Sequence, residues 1–172
     1  AAPGRWGGAS LRGAFVPAGG APLLPGKGAL FRDGPFVGNE TLPMGRAGRE
    51  LNLGFGVDDR VRVTRVALDR ETGQYGILMS SRKVDTSRFK IRVDNLHSQP
   101  VDIIVYDRMP YAEDQTITVE RLRDTTEPTT QNVEDRRGVL AWSYTYQPGE
   151  TREILNGYEV SWPADKQVVS LD

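Results

Sequence analysis

The sequence predicts an all-β chain: an antiparallel β-sandwich of the immunoglobulin/fibronectin-like kind over residues 60–172, preceded by a small Gly/Pro-rich β unit over residues 1–59. Three observations predict it. Apolar and polar residues alternate with a period of two over several stretches, as half-buried strands require. Turn-forming residues recur about every ten positions. No stretch carries the 3.6-residue period of an amphipathic helix, so an α/β fold is disfavoured.

The 19 glycines and 11 prolines crowd the first third, where Pro3, Pro17, Pro22, Pro25, Pro35 and Pro43 preclude long helices. Ala29 to Val37 reads as a hairpin. Leu30 and Phe31 precede an Asp33-Gly34 turn and Phe36 and Val37 follow it, because Asp-Gly readily adopts the positive φ such turns need. Gly45 to Gly48 forms a loop before a strand from Glu50 to Phe55. Near Val57 to Arg60 the composition gives way to regular alternation, which marks the domain boundary.

Beyond it, Val61, Val63 and Arg65 share one face of a strand and Arg60, Arg62 and Thr64 the other. Phe89, Ile91 and Val93 alternate with Lys90, Arg92 and Asp94. Asn95 to Pro100 supplies a turn before Val101 to Tyr106, so these two strands read as an antiparallel pair. Thr116 to Leu122 is a strand with Ile117 and Val119 inward, and Thr125 to Arg137 is a polar loop. Val139 to Tyr146 carries Trp142, Tyr144 and Tyr146 on one face. A Gln147-Pro148-Gly149-Glu150 turn leads to Thr151–Leu155, and Tyr158, Val160 and Trp162 alternate before Pro163. No fixed-period repeat is present.

Lys plus Arg (22) nearly cancels Asp plus Glu (23) and no long run of like charge occurs, so nothing marks a nucleic-acid partner. The absence of cysteine removes disulfides, thiolate nucleophiles and cysteine metal sites together. No stretch approaches the roughly 18 apolar residues of a membrane span, and Ala1 to Gly8 has no signal-peptide pattern. Without an initiator Met, the chain reads as a fragment or a processed product.

The residues also carry a resemblance. In order along the chain stand Leu24-Pro25-Gly26, Phe31-Arg32-Asp33-Gly34, Leu53-Gly54-Phe55-Gly56-Val57-Asp58-Asp59-Arg60-Val61, Ile91-Arg92-Val93-Asp94-Asn95, Asp107-Arg108-Met109-Pro110 and Gly138-Val139-Leu140-Ala141-Trp142. Pro148-Gly149-Glu150 and Tyr158-Glu159-Val160-Ser161-Trp162-Pro163 complete the series. It resembles the C-terminal half of the DUF4139 family, which includes the proteins called mucoidy inhibitor A. The resemblance implies a bacterial source, a periplasmic or cell-envelope setting, and a longer protein with a further β-rich domain and a coiled coil. It implies no catalytic residues, because the family has none established.

The residues themselves offer few sites. His97 is the single histidine and falls in a turn, where a solvent-exposed polar residue is expected. Asp58 and Asp59 could form a carboxylate pair, but neighbours on a strand face opposite ways, so a structural role beside the bend at Gly54 and Gly56 is favoured. Gly54-Phe55-Gly56 lacks the third glycine and helix start of a dinucleotide fingerprint. Asp69-Arg70-Glu71-Thr72-Gly73 lacks the remaining oxygen ligands of a calcium loop and reads as a hairpin turn. Asn39-Glu40-Thr41 spells a glycosylation sequon, which carries little meaning in a bacterial protein. Trp6 lies in a Gly-rich terminus, either mobile or packed against absent sequence.

The remaining candidates are aromatic. Trp142 reads as core between two sheets, whereas Tyr144, Tyr146, Tyr158 and Trp162 form the candidate binding surface, able to stack on sugar rings or bury a partner's side chains. These readings point to a non-enzymatic module without catalytic residues, metal or cofactor, which binds a protein partner or other domains of its own chain. The alternative is an exopolysaccharide-binding module.

Overall fold

The computed structural model describes residues 8–16, 22–31, 34–46, 48–75 and 81–166. The structure is all-β with antiparallel strands, and its ordered helix among the described residues is one 3-10 turn, Val133–Asp135. Two compact units divide the chain, Gly8–Asp59 and the residues from Arg60 onward. The terminus carrying Trp6 lies outside the described residues.

The first unit holds β1 (Gly8–Phe15), β2 (Gly26–Phe31), β3 (Phe36–Leu42) and the start of the 25-residue β4 (Leu51–Tyr75). β2 and β3 form the anticipated hairpin, from Gly26↔Leu42 at its base to Phe31↔Phe36. Gly34 stands at φ 106° beside the turn, a conformation a Cβ would strain. The two phenylalanine rings meet edge to face at 5.7 Å. β1 neighbours β4, and Gly13 lies so close under Phe55 that a Cβ there would come within 2.6 Å of the ring.

The second unit is a two-sheet sandwich. Its strands are the rest of β4, β5 (Arg82–Asn95), β6 (Val101–Arg108), β7 (Thr118–Arg121), β8 (Thr130–Gln131), β9 (Val139–Tyr146) and β10 (Thr151–Pro163). One sheet runs β4-β5-β10-β7 and the other β6-β9-β8. The alternating apolar residues meet between them, where Val61, Ile91, Val93, Val105, Leu140, Trp142, Tyr146 and Ile154 are all buried. The immunoglobulin constant-type division, A-B-E-D against C-F-G, has the same four-plus-three split. Here the last strand, β10, sits where strand E would be, so the chain order differs.

Two sequence readings are corrected. β5 and β6 are not a hairpin pair: both edges of β5 are taken, by β4 and by β10, and β6 pairs with β9 in the opposite sheet. The Asn95–Pro100 segment therefore crosses between sheets. Nor is Asp69–Gly73 a turn, because β4 continues through it, pairing Asp69↔Arg88 to Gly73↔Val84 and on to Tyr75↔Arg82. Arg70, Glu71 and Thr72, which suggested a turn, are exposed along a long strand. A bulge between Ala67 and Asp69 leaves Leu68 43% exposed and changes which residues of β4 face inward. An inserted residue flips the alternation, so Arg65 before it and Arg70 after it share a face.

Candidate functional site

Alternation carried to the ends of the strands brings polar side chains to the inner faces, and they gather into two nodes. The first lies where β5 ends. Asn95 continues the inward series of Ile91 and Val93 and is fully buried. Its Nδ2 donates to the carbonyls of Tyr146 (3.1 Å), Gln147 (3.0 Å) and Gln99 (3.3 Å), and its Oδ1 accepts from the His97 amide (3.0 Å). Its backbone amide donates to Glu150 and its carbonyl accepts from Gly149. One side chain thus fixes the crossover and the β9–β10 turn. His97, expected in solvent, is only 9% exposed, because this tie folds its turn back onto the sandwich.

The second node joins β4 and β10 to β6. Asp107, inward on β6, accepts from Asn156 Nδ2 at 2.9 Å and from Arg65 Nε at 3.3 Å. Arg65 lies flat over Phe89, 3.8 Å from the ring centroid. Asn156 is fully buried, its Nδ2 also reaches the Arg108 carbonyl at 3.3 Å, and its Oδ1 meets no partner among the described residues. Beyond the bulge, Arg70 holds Asp85 through two contacts, the shorter 2.8 Å. Both arginines stay exposed while their carboxylate partners are mostly covered, and the Asp107 contacts to Asn156 and Arg65 tie the two layers together. A cavity of about 30 Å³ beside it is lined by residues including Arg88, Phe89, Asn156 and Gly157, far below the roughly 300–1,000 Å³ of a small-molecule site.

The sequence candidates are scattered. Asp58 is buried and Asp59 exposed, so the two carboxylates do not share a ligand, and Gly56 beside them stands at φ 81°. The side chain of Asp69 lies outside the described residues. Among the described residues no three His, Asp or Glu side chains gather as a metal site.

Trp142 is fully buried, with its indole N–H on the Thr126 carbonyl at 3.0 Å. Tyr146 is fully buried as well, so it presents no face to a ligand. Arg152 lies over the rings of Tyr144 (4.8 Å) and Tyr146 (5.3 Å), so its guanidinium already occupies one face of each ring. Tyr158 is half-buried, tilted against Phe89 at 6.1 Å and bonded to Ser87. Trp162 is half-buried near the end of β10. The four do not form one exposed platform.

A family model, described as a domain of unknown function (DUF4139), matches residues 11–164. The chain belongs to the DUF4139 family. No curated protein and no solved structure matches it. The DUF4139 match spans both nodes.

Among the described residues of the second unit, no strand pairs with the outer side of β6. β6 is the first strand of its sheet, and its ladder with β9 runs without a bulge from Val101↔Tyr146 to Arg108↔Val139. The Met109 amide donates to the Gly138 carbonyl in the same register, so odd-numbered residues of β6 turn their backbone groups toward β9. The even-numbered Asp102, Ile104 and Tyr106 turn theirs outward, as does Arg108, whose carbonyl is taken by Asn156 Nδ2. Ile104 and Tyr106 are 52% and 51% exposed. Within the second unit the other edge strands β7 and β8 are only four and two residues long, the usual blunting of an edge; β1, the remaining edge of the five-stranded sheet, is eight residues long and belongs to the first unit. β6 has eight residues and no proline.

Titration of these groups makes two predictions. Burial pushes the Tyr146 phenol above its ordinary value of 10.0 and does the same for Tyr158. The folded protein therefore keeps protons that the unfolded chain releases, and stability falls as pH rises above about 10 toward the raised folded values. The Tyr146 hydroxyl meets no partner among the described residues. Tyr146→Phe is accordingly neutral or stabilising by up to about 1 kcal/mol at pH 7 and flattens the alkaline decline, as urea midpoints at neutral and alkaline pH will report.

On the acid side, the Thr151 hydroxyl lowers Asp94, the Lys166 ammonium lowers Asp114, and the Gln147 amide lowers Glu150. Their stabilisation is complete above the unfolded values of 3.8 and 4.5 and is lost as pH falls through the depressed folded ones. Lys166→Met removes the 2.6 Å contact with Asp114, so its melting temperature declines less steeply with acid than the parent's.

Proposed function

We propose that this DUF4139 region is a non-enzymatic protein-interaction module of a bacterial cell-envelope protein, docking a partner polypeptide by strand addition at β6. The observation carrying this reading is the full-length, unbulged β6 edge with two large apolar side chains exposed beside outward backbone groups. Main-chain pairing supplies affinity in such docking and alternate side chains supply selectivity. The envelope setting rests on the resemblance to mucoidy inhibitor A. The buried polar nodes serve the module by fixing the two sheets that hold β6 in place.

Ile104→Pro tests it. Residue 104 turns its N–H outward, so proline removes an edge donor while leaving the β9 ladder intact. In a pull-down with the full-length protein from its own cell extract, a polypeptide retained by the parent and lost with Ile104→Pro is the expected result. Identical retention by both proteins, or none by either, would refute strand addition. Exopolysaccharide binding is the weaker reading because Tyr146 is enclosed and Arg152 covers Tyr144. A polysaccharide array revives it if binding is found and is abolished by Trp162→Ala.

A further inference from the structure

We infer that the polypeptide received by β6 is β6 of a second copy of this chain, paired antiparallel about a two-fold axis through Val105; the inference rests on the strand-addition reading above. The pattern of the edge specifies the partner. Its outward-facing residues read Asp102, Ile104, Tyr106 and Arg108, a negative end, two apolar side chains and a positive end. An apolar strand laid along this edge would leave both charges unmatched. A second β6 turned end for end places Asp102 opposite Arg108 of the other copy, twice by symmetry, and Ile104 opposite Tyr106.

The backbone permits that register. Ile104 and Tyr106 turn N–H and C=O away from β9 and meet as a hydrogen-bonded antiparallel pair. Asp102 and Arg108 meet at the ends, where the Arg108 carbonyl already accepts from Asn156 Nδ2 at 3.3 Å, so that end pair contributes the Arg108 N–H and the two side-chain charges. Among the described residues the Arg108 guanidinium has no ion-pair partner, while Asp102 uses one oxygen, Oδ1, on the Thr145 hydroxyl at 2.6 Å. The partnership joins two three-stranded sheets into one of six, β8-β9-β6 continuing into its symmetry mate. Such an interface is isologous and self-limiting, which a β6 edge pairing with any other edge of a copy is not.

Sedimentation equilibrium on the purified chain, over a wide concentration range, tests the pairing. A monomer–dimer equilibrium is expected, weakened at least about a hundredfold by Ile104→Pro, which deletes the same edge donor in both copies and sets its ring against the facing strand. Asp102→Arg or Arg108→Asp alone places like charges opposite each other and weakens the dimer by about tenfold. The double variant Asp102→Arg/Arg108→Asp exchanges the signs and restores affinity to within about threefold of the parent. That rescue needs the proposed register and is independent of any folding defect in the proline variant.

A chain that stays monomeric throughout, a dimer that tolerates Ile104→Pro, or a charge exchange without rescue would overturn the pairing. A monomer whose Ile104→Pro-sensitive capture of a different polypeptide persists overturns only the identity of the partner. A monomer with no such capture removes strand addition too.

Discussion

Trp142→Ala lowers the unfolding free energy by about 3–5 kcal/mol, the range for deleting a large buried aromatic, against a total of about 5–15 kcal/mol for a natural domain. Trp142 is fully buried at the middle of β9, opposite Val105 in the ladder. Truncation opens a cavity between two sheets that are held by hydrogen-bonded ladders and cannot close over it. It also strands the Thr126 carbonyl that the indole satisfies. Trp142→Phe keeps most of the ring and loses the hydrogen bond, so its cost falls to about 1–2 kcal/mol. Urea midpoints with an unchanged dependence on denaturant will separate the two.

Asn95→Ala costs about 3–5 kcal/mol, from several buried groups left unpaired at about 1–3 kcal/mol each and partly rehydrated near the exposed turns. The carbonyls of Tyr146, Gln147 and Gln99 lose their donor, and the His97 amide loses its acceptor. Asn95→Asp keeps the shape and the His97 contact but turns a carboxylate toward three carbonyl oxygens, and is destabilised at least as much at neutral pH. Because protonation returns one donor, the gap between Asn95→Asp and the parent narrows in acid. Thermal melts at pH 4 and pH 7 check that ordering.

The fold was largely legible because its core follows the alternation. Ile91 and Val93 on β5, Ile154 on β10 and Trp142 and Tyr146 on β9 are inward where a period of two places them. Pairing was less legible. Asn95 to Pro100 has the composition of a hairpin turn, and it is the pairing of β5 with β4 and β10 and of β6 with β9 that makes it change sheets. Asp69 to Gly73 also has turn-like composition, yet it lies in a ladder whose partner is fixed by the long β5.

The candidate site was missed for a related reason. Residue type singles out Asp58, Asp59, His97 and the tyrosines, and gives no weight to Asn95, Asp107 and Asn156. The signal was present: each continues an inward-facing series, 91-93-95, 101-103-105-107 and 154-156. A polar residue at the end of such a series is buried and must find partners. The β6 edge had no sequence signal, because an unpaired edge is a property of strand order rather than of composition.

Residue-resolved amide hydrogen exchange along β6 tests the central claim most directly. In dilute chain the amides of Ile103, Val105 and Asp107, which face β9, are protected, and those of Asp102, Ile104 and Tyr106 exchange freely. At concentrations where the chain associates, or with a captured partner, the second set becomes protected while the first is little changed. Protection of Ile104 and Tyr106 already in the dilute monomer, or free exchange of both in the associated state, would contradict an open edge that receives a strand.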